Sequence, residues 1–315
     1  MVPEKNLIGI LTGPTASGKS GLALELALKN PQLEIINADS MLVYRGMDIG
    51  TAKPSPEELR QVPHHLVDIC DPDEAFTAGD FHRAAEKAIQ DIQDRGKRPL
   101  IVGGTGFYLK SLLYGLWDAP AKDPQIREAL ERLTNPALFE KLSQADPQSA
   151  TRIGLQDRYR LIRALEILQL TGKSPTELQS EKAPTADPRF SLWIVDRSTE
   201  DLHLRIAERT NQMISQGLLV EEFQRIQKMF PKSRALGSVG YAQVGRYLSG
   251  EKPAGRKVKP GLEGLSEEIQ LATRQLVKAQ RTWFRGQNKG TLACHEFILE
   301  GDRERLEAIF KSTYG

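Results

Sequence analysis

The chain has 315 residues, 39% hydrophobic and 27% charged, with a formal net charge of +2 and a pI near 8.4. That suits a globular protein with one large domain, or a core plus a smaller second unit. It excludes polyanion binding driven by net charge alone, so a nucleic-acid site has to come from local clusters of Lys and Arg. Two distant cysteines, Cys70 and Cys294, exclude a cysteine-ligated zinc site and argue against a disulfide framework, which points to a reducing cytoplasm. No apolar run approaches the ~20 residues of a membrane span, and 7–11 is too short for the apolar part of a signal peptide.

In chain order, the short apolar runs LIGILT (7–12), LEIIN (33–37), HLVDI (65–69) and PLIVGG (99–104) read as strands. Between them, 20–30 and 78–97 read as helices. Strands alternating with helices predict an α/β fold with a parallel sheet. From 118 to 188 no good strand is found. DPQIREALERL, PALFEKLSQ and DRYRLIRALEILQLTGK read as helices, the last capped at Gly172, with prolines at 120, 124, 184 and 188 marking the borders. The expected organisation is a core of 1–118 and 188–315 interrupted by an all-helical insertion, 119–187. The sheet resumes with FSLWIVD (190–196), after which the chain reads as mostly helical.

One such helix runs from an N-cap at Ser198 or Thr199 to a stop at Gly217. The stretch 251–264 reads as a loop. The most regular helix, 266–286, is expected to bury Ile269, Ala272, Leu276, Ala279 and Trp283. A second face carries Arg274, Lys278, Arg281 and Arg285. On its own, such a basic seam is most simply a solvated face.

GPTASGKS (13–20) satisfies G-x-x-x-x-G-K-[ST] between a strand and a helix. Gly13 and Gly18 let backbone N–H groups converge on anionic oxygens, and the following helix points its positive end at them. Lys19 adds a point charge and Ser20 can hold Mg²⁺. The pattern predicts a P-loop NTPase-like core binding a diphosphate or triphosphate, but leaves the ligand open. Asp39, Asp68 and Asp196 each end an apolar run, and spacing does not choose among them as a metal acid.

Together with GPTASGKS, the segment NADSMLVYRGMDIGTAKP (37–54) resembles the tRNA dimethylallyltransferase (tRNA isopentenyltransferase) family. The resemblance continues through 102–115, 157–178, 196–222, 238–251 and 272–286, in order and over nearly the whole chain. It implies transfer of a dimethylallyl group from dimethylallyl diphosphate to the exocyclic amine of the adenosine just 3′ of the anticodon, in tRNAs reading codons that begin with U. The phosphate loop would then hold the diphosphate of the prenyl donor.

The family pattern makes Asp39 the general base, which an amine with a delocalised lone pair needs. Ser40 is expected at the target nucleotide and Thr105 near the reacting groups. Gly13, Thr15, Ala16, Ser17, Gly18, Lys19 and Ser20, with Arg205 and Arg209, are expected around the diphosphate, whose developing charge they would stabilise. Lys53 is a weaker candidate, since a lysine there is usually a surface residue.

The helical insertion is expected to embrace the anticodon stem-loop, the target base being flipped into a pocket. Arg127, Arg160 and Arg163 are its expected tRNA contacts, Arg158 adding charge. Arg274, Lys278, Arg281 and Arg285, with Gln275, would touch the phosphate backbone. A monomer is expected, one tRNA cleft being sufficient.

Two features depart from the pattern. Leu42 stands where many members have Gln, so a hydrogen bond from that glutamine is absent or replaced. Two cysteines leave no zinc finger of the kind eukaryotic members often carry, so the likeness is to the bacterial or organellar type. Other readings are a P-loop small-molecule or nucleotide kinase, a prenyltransferase acting on free AMP or ATP, and a non-catalytic RNA-binding module. The kinase leaves the insertion unexplained, the free-nucleotide enzyme does not need it, and the module leaves the phosphate loop and Asp39 unused.

Overall fold

The computed structural model describes residues 7–115, 120, 122–180, 185–215, 217–251, 253, 255, 257–286, 293–299 and 301–314. Two compact units are formed: Met1–Leu113 with Ala186–Gly315, and Tyr114–Thr185. Residues 118 and 119, where the insertion is expected to begin, lie outside the described residues.

The first unit begins β1 (Ile8–Thr12), α1 (Lys19–Lys29), β2 (Leu33–Asn37), α2 (Pro56–Gln61), β3 (His64–His65), α3 (Ala78–Asp94), β4 (Arg98–Gly103) and α4 (Gly106–Tyr114). The second unit is helical in its described residues: α5 (Pro124–Glu131), α6 (Asn135–Ala145), α7 (Pro147–Ile153), α8 (Arg158–Thr171) and α9 (Pro175–Ser180). The chain then returns as β5 (Phe190–Asp196), α10 (Thr199–Ser215), α11 (Leu218–Met229), α12 (Tyr241–Ser249), α13 (Gly261–Arg285), β6 (Ala293–Ile298) and α14 (Arg303–Tyr314).

The six strands form one parallel sheet in the order β3-β2-β4-β1-β5-β6. β1 and β2 are buried along their whole length, as near-continuous apolar runs covered on both faces require. The second residue of β4, Pro99, brings no N–H to the ladder. Tyr314, at the end of α14, accepts a hydrogen bond from Gly9 N at 2.8 Å and donates one to Pro99 O at 2.7 Å. Its hydroxyl thus joins two strands where proline cannot.

In the second unit Leu138, Leu142, Leu161 and Leu165 pack a separate small core. Asp123, Thr134, Asp146 and Asp157 each cap a helix through a side-chain acceptor, and α8 ends at Gly172 in the left-handed conformation. Ser198 caps α10 through Asp201 N at 3.1 Å.

Several expectations are corrected. HLVDI is not a strand: β3 covers only His64 and His65, and positive φ at Leu66 (61°) and Asp68 (54°) turns the chain away. The region after Asp196 contributes a strand, β6, which extends the sheet beyond β5. The last four residues of the expected 251–264 loop already belong to α13. The buried stripe of α13 runs through Leu265, Ile269, Val277 and Phe284; Leu276 is 36% exposed, and Ala279 is exposed as well. Alanines fit either face, so the 3-4 spacing left the choice of stripe open.

Glu34, on β2, is buried and gripped at both oxygens by Arg95 (2.5 and 2.7 Å), with His65 Nε2 at 2.7 Å from Oε2. The Arg95 hydrogen bonds outweigh the burial that opposes them and hold its carboxyl down at about 2. With its folded pKa depressed from 4.5, Glu34 contributes stability that is present above pH 4.5 and is lost as pH falls through about 2. Glu34→Gln is expected to cost about 2–4 kcal/mol at pH 7. That difference from the parent chain should shrink between pH 4.5 and 2 in denaturant titrations. A difference constant with pH would contradict the pairing.

Candidate active site

Strand order gathers the site. The register pairs Thr12 with Gly103 and Asn37 with Val102, so the loops that follow β1, β2 and β4 emerge side by side at the carboxyl edge of the sheet. Such an edge, where neighbouring connections part, is where open α/β sheets take ligands.

The loop after β1 leaves no room for a side chain at Gly13: φ is 155°, and a Cβ would fall 2.0 Å from Val195 O. Ala16 adopts a positive φ of 69°. The loop's carbonyls are taken by cations: Arg205 Nε donates to Ala16 O (2.9 Å), Arg197 Nε to Ser17 O (2.8 Å) and Lys19 Nζ to Pro14 O (3.2 Å). No side chain caps α1 at Gly18, which leaves its first amides for an anion. Among the described residues buried Ser17 Oγ has no hydrogen-bond partner. Thr15 N–H is already committed, donating to Gln280 Oε1 at 2.8 Å.

A cavity of about 490 Å³ opens on this loop and is lined by Lys19, Ser20, Asp39, Arg205 and Arg209, with Thr15, Ala16, Gly18 and Leu42. Lys19 is 9% exposed. Burial lowers its pKa to about 8, the Asp39 carboxylate opposing and Arg209 assisting. Arg209 is likewise lowered by burial and supported by Asp39. Two desolvated cations therefore face one carboxylate across a cavity, and an anionic ligand there relieves their mutual repulsion.

Asp39 is held by its neighbours. Its N–H donates to Asn37 Oδ1 (2.8 Å), while Asn37 Nδ2 donates to Asp39 O (3.0 Å) and to Leu66 O (2.9 Å). Oδ1 accepts from Met41 N at 2.9 Å. Among the described residues Oδ2 has no hydrogen-bond partner, so one oxygen remains able to take a proton. Thr105 Oγ1 accepts from Ser40 N (2.9 Å) and donates to Ser40 Oγ (3.2 Å), tying the turn after β4 to the loop carrying Asp39.

Lys53 is a finding against expectation. Its side chain is 4% exposed, donating to Tyr44 O (2.8 Å), Asp48 Oδ1 (2.6 Å) and Asp68 Oδ1 (2.5 Å), and it lines the same cavity. Buried Glu222 holds the adjoining loop, accepting from the N–H groups of Asp48, Ile49 and Gly50 and from Tyr241 Oη.

The remaining candidates are placed elsewhere. In the second unit Arg127 and Arg163 converge on fully buried Glu166, at 3.2 and 2.6 Å, and Arg163 also donates to Pro120 O. Arg158 is spent on Glu131 O, Leu133 O and Asn135 Oδ1. Arg160 is 70% exposed and lies 3.3 Å from Asp157. In the first unit Arg281 is clamped by Asp196 (2.9 Å) and Thr199 (3.0 Å), Arg274 leans back on Gln270, and Lys278 and Gln275 are exposed.

Residues 42–287 match the family model described as IPP transferase. The chain belongs to the IPP transferase family. A tRNA dimethylallyltransferase of Geobacter sulfurreducens is 44% identical over 288 residues, covering 90% of each chain. One of Chromobacterium violaceum is also 44% identical, covering 88% of this chain and 85% of its own. A full-length tRNA isopentenylpyrophosphate transferase from Bacillus halodurans superposes with a TM-score of 0.65 at 33% identity, covering 98% of this chain and 95% of that one. A eukaryotic dimethylallyltransferase described as acting on tRNA gives a TM-score of 0.81 at 27% identity, covering 96% and 78%.

Sequence reasoning passed over Gln280, Arg197, Glu166 and Glu222. Gln280, Glu166 and Glu222 share a signal: each lies on the apolar stripe of a helix, three or four residues from buried neighbours such as Val277 and Phe284, Ile162, or Leu219 and Ile226. A polar side chain there is carried inward and has to find partners.

Because burial has brought Lys19 to about 8, binding of inorganic diphosphate is expected to take up a proton near that pH. Affinity should fall above pH 8, by up to about tenfold per pH unit, and Lys19→Met should flatten the slope. Calorimetry in buffers of different ionisation enthalpy reads the proton count. Equal uptake by parent and variant would contradict this role.

Proposed function

We propose that this chain transfers a dimethylallyl group from dimethylallyl diphosphate to the exocyclic amine of the adenosine 3′-adjacent to the anticodon in tRNAs reading U-initial codons, releasing diphosphate. The observation that carries the reading is that the phosphate loop and Asp39 open on one cavity. Lys19 and Arg209 face a carboxylate with an unengaged oxygen rather than a set of metal-binding acids. Amine alkylation needs a base beside the leaving group, and Asp39 supplies a carboxylate there.

In the reaction the bond from the prenyl C1 to the diphosphate oxygen breaks as a bond from the adenine nitrogen to C1 forms. Asp39 Oδ2 accepts the proton that the amine loses. Lys19, Arg209 and the amides at the start of α1 stabilise the charge gathering on the leaving diphosphate. Arg205 and Arg197 act on the loop itself, fixing its carbonyls. Thr105 and Ser40 set the direction of the Asp39 loop. Leu42, Ile35 and Val102 give the cavity apolar wall suited to a five-carbon group.

The residues fit Mg²⁺ in one respect. Ser20 places a hydroxyl on the first turn of α1 in the same cavity, and no cluster of three His, Cys, Asp or Glu occurs among the described residues. The ion would be held by Ser20 and the diphosphate oxygens. When bound it supplies charge neutralisation to the leaving group.

For tRNA, the exposed side chains of Arg160, Lys278 and Gln275 would meet phosphates, and Arg274 would have to leave Gln270 to join them. Arg127 and Arg163 shape the helical unit around Glu166 and present their guanidinium edges only in part. A monomer is proposed, one tRNA cleft being sufficient for one substrate. No helix among the described residues is long and apolar enough to cross a membrane, and a reducing cytoplasm suits the free cysteines.

Labelled dimethylallyl diphosphate with Mg²⁺ tests this against tRNA with adenosine 3′ of the anticodon, the same tRNA with guanosine there, and free AMP. Label is expected only in the first, and Asp39→Asn should lower its rate about 10²–10⁴-fold. Label in AMP, or ATP hydrolysis without transfer, would overturn the assignment.

A further inference from the structure

Gln280 lies on α13 between buried Val277 and Phe284, so the helix carries its amide inward. Its Oε1 accepts from Thr15 N at 2.8 Å, and its Nε2 donates to Gly104 O at 3.0 Å. The partners fix the orientation: a backbone N–H has to meet the oxygen and a backbone carbonyl the NH₂. One side chain from a distant helix therefore bridges the phosphate loop after β1 and the turn after β4. The fit is tight. A Cβ at Gly104 would lie 2.8 Å from Gln280 Nε2, 3.1 Å from Gly13 O and 3.4 Å from Lys19 Nζ. The next residue, Thr105, holds Ser40, whose neighbour is Asp39.

We propose that Gln280 is a positioning residue that sets the spacing between the phosphate loop and the Gly104–Thr105 turn, and so registers the leaving diphosphate against the Asp39 carboxylate. This rests on the transfer reaction proposed above. The ladder pairs β1 with β4 only as far as Thr12 and Gly103. Beyond that point the ladder no longer fixes the separation of the two loops, and the Gln280 amide cross-links the first residue past it after β4, Gly104, to the third after β1, Thr15. An amide suits the task chemically. It satisfies one donor and one acceptor while adding no charge beside Lys19, where a carboxylate would compete with the diphosphate and an ammonium would add to the repulsion from Arg209. Bond formation between two held reactants is sensitive to sub-ångström placement, so loss of the bridge should appear in the chemical step.

The test compares parent, Gln280→Met and Gln280→Glu in single-turnover transfer of labelled dimethylallyl to tRNA, with KM for the prenyl diphosphate and thermal midpoint measured alongside. Gln280→Met keeps length and burial but loses both hydrogen bonds. Its single-turnover rate is expected to fall about tenfold or more, with KM changing by less than about threefold and the fold retained. Gln280→Glu can still accept from Thr15 but can donate to Gly104 only when protonated. Its rate relative to the parent should therefore rise as pH is lowered from 8 to 5.5, on the order of one glutamate titration, whereas a packing role would give a ratio independent of pH. A Gln280→Met rate equal to the parent's, or a loss wholly in KM, would overturn the inference. So would a pH-independent Gln280→Glu ratio. An inactive parent would instead remove the transfer reading on which it rests.

Discussion

The register of β1 against β4, and of β4 against β2, is the constraint on which the site depends. Thr12 opposite Gly103 and Asn37 opposite Val102 place three loops at one sheet edge. The Thr12 hydroxyl reinforces the first pairing by donating to Gly103 O at 2.7 Å. A slip of one residue would turn every side chain of a strand to the opposite face. The phosphate loop, Asp39 and Thr105 are thus brought to one edge by strand pairing. The glycines at the edge are part of the same constraint, because the backbones approach too closely there for a Cβ.

Buried charge is handled differently in each part of the molecule. Away from the cavity, Glu34, Glu166 and Glu222 are each saturated, by Arg95 and His65, by Arg127 and Arg163, and by a row of backbone amides with Tyr241. Saturated carboxylates of this kind fix geometry and are inert. At the cavity the pattern is reversed. Lys19 and Arg209 are desolvated and share only Asp39 between them, and one oxygen of Asp39 has no partner among the described residues. Incomplete pairing is costly in a stable fold unless a ligand completes it. The contrast separates the site from the scaffold.

Much of this was legible in the sequence. The apolar runs 33–37 and 190–196 are the strands β2 and β5, and the break between Asp118 and Pro188 marks a helical unit. GPTASGKS could be placed on a loop between strand and helix because the motif's chemistry requires that context. HLVDI could not be resolved, since a short apolar run looks the same whether it continues a ladder or turns out of it at Leu66. β6 stayed hidden because ACHEFI is mixed in polarity and is made a strand by its neighbour β5. In the candidate site, residues carried by a motif could be singled out from the sequence, whereas residues that reach across the fold could not. Gln280 touches Thr15 and Gly104, both more than 170 positions away in sequence, and no local pattern announces such a partner. Lys53 was undervalued for the same reason, its carboxylate partner Asp68 coming from a turn that reads as strand.

The central claim is that the phosphate loop serves a prenyl diphosphate rather than a nucleotide. It is tested most directly by the affinity of the parent chain and Lys19→Met for dimethylallyl thiolodiphosphate, which resists transfer, and for ATP, each with Mg²⁺, by calorimetry. The prenyl analogue should bind the parent more tightly than ATP does and lose at least about tenfold with Lys19→Met. Tighter binding of ATP, or an analogue affinity indifferent to Lys19, would contradict it.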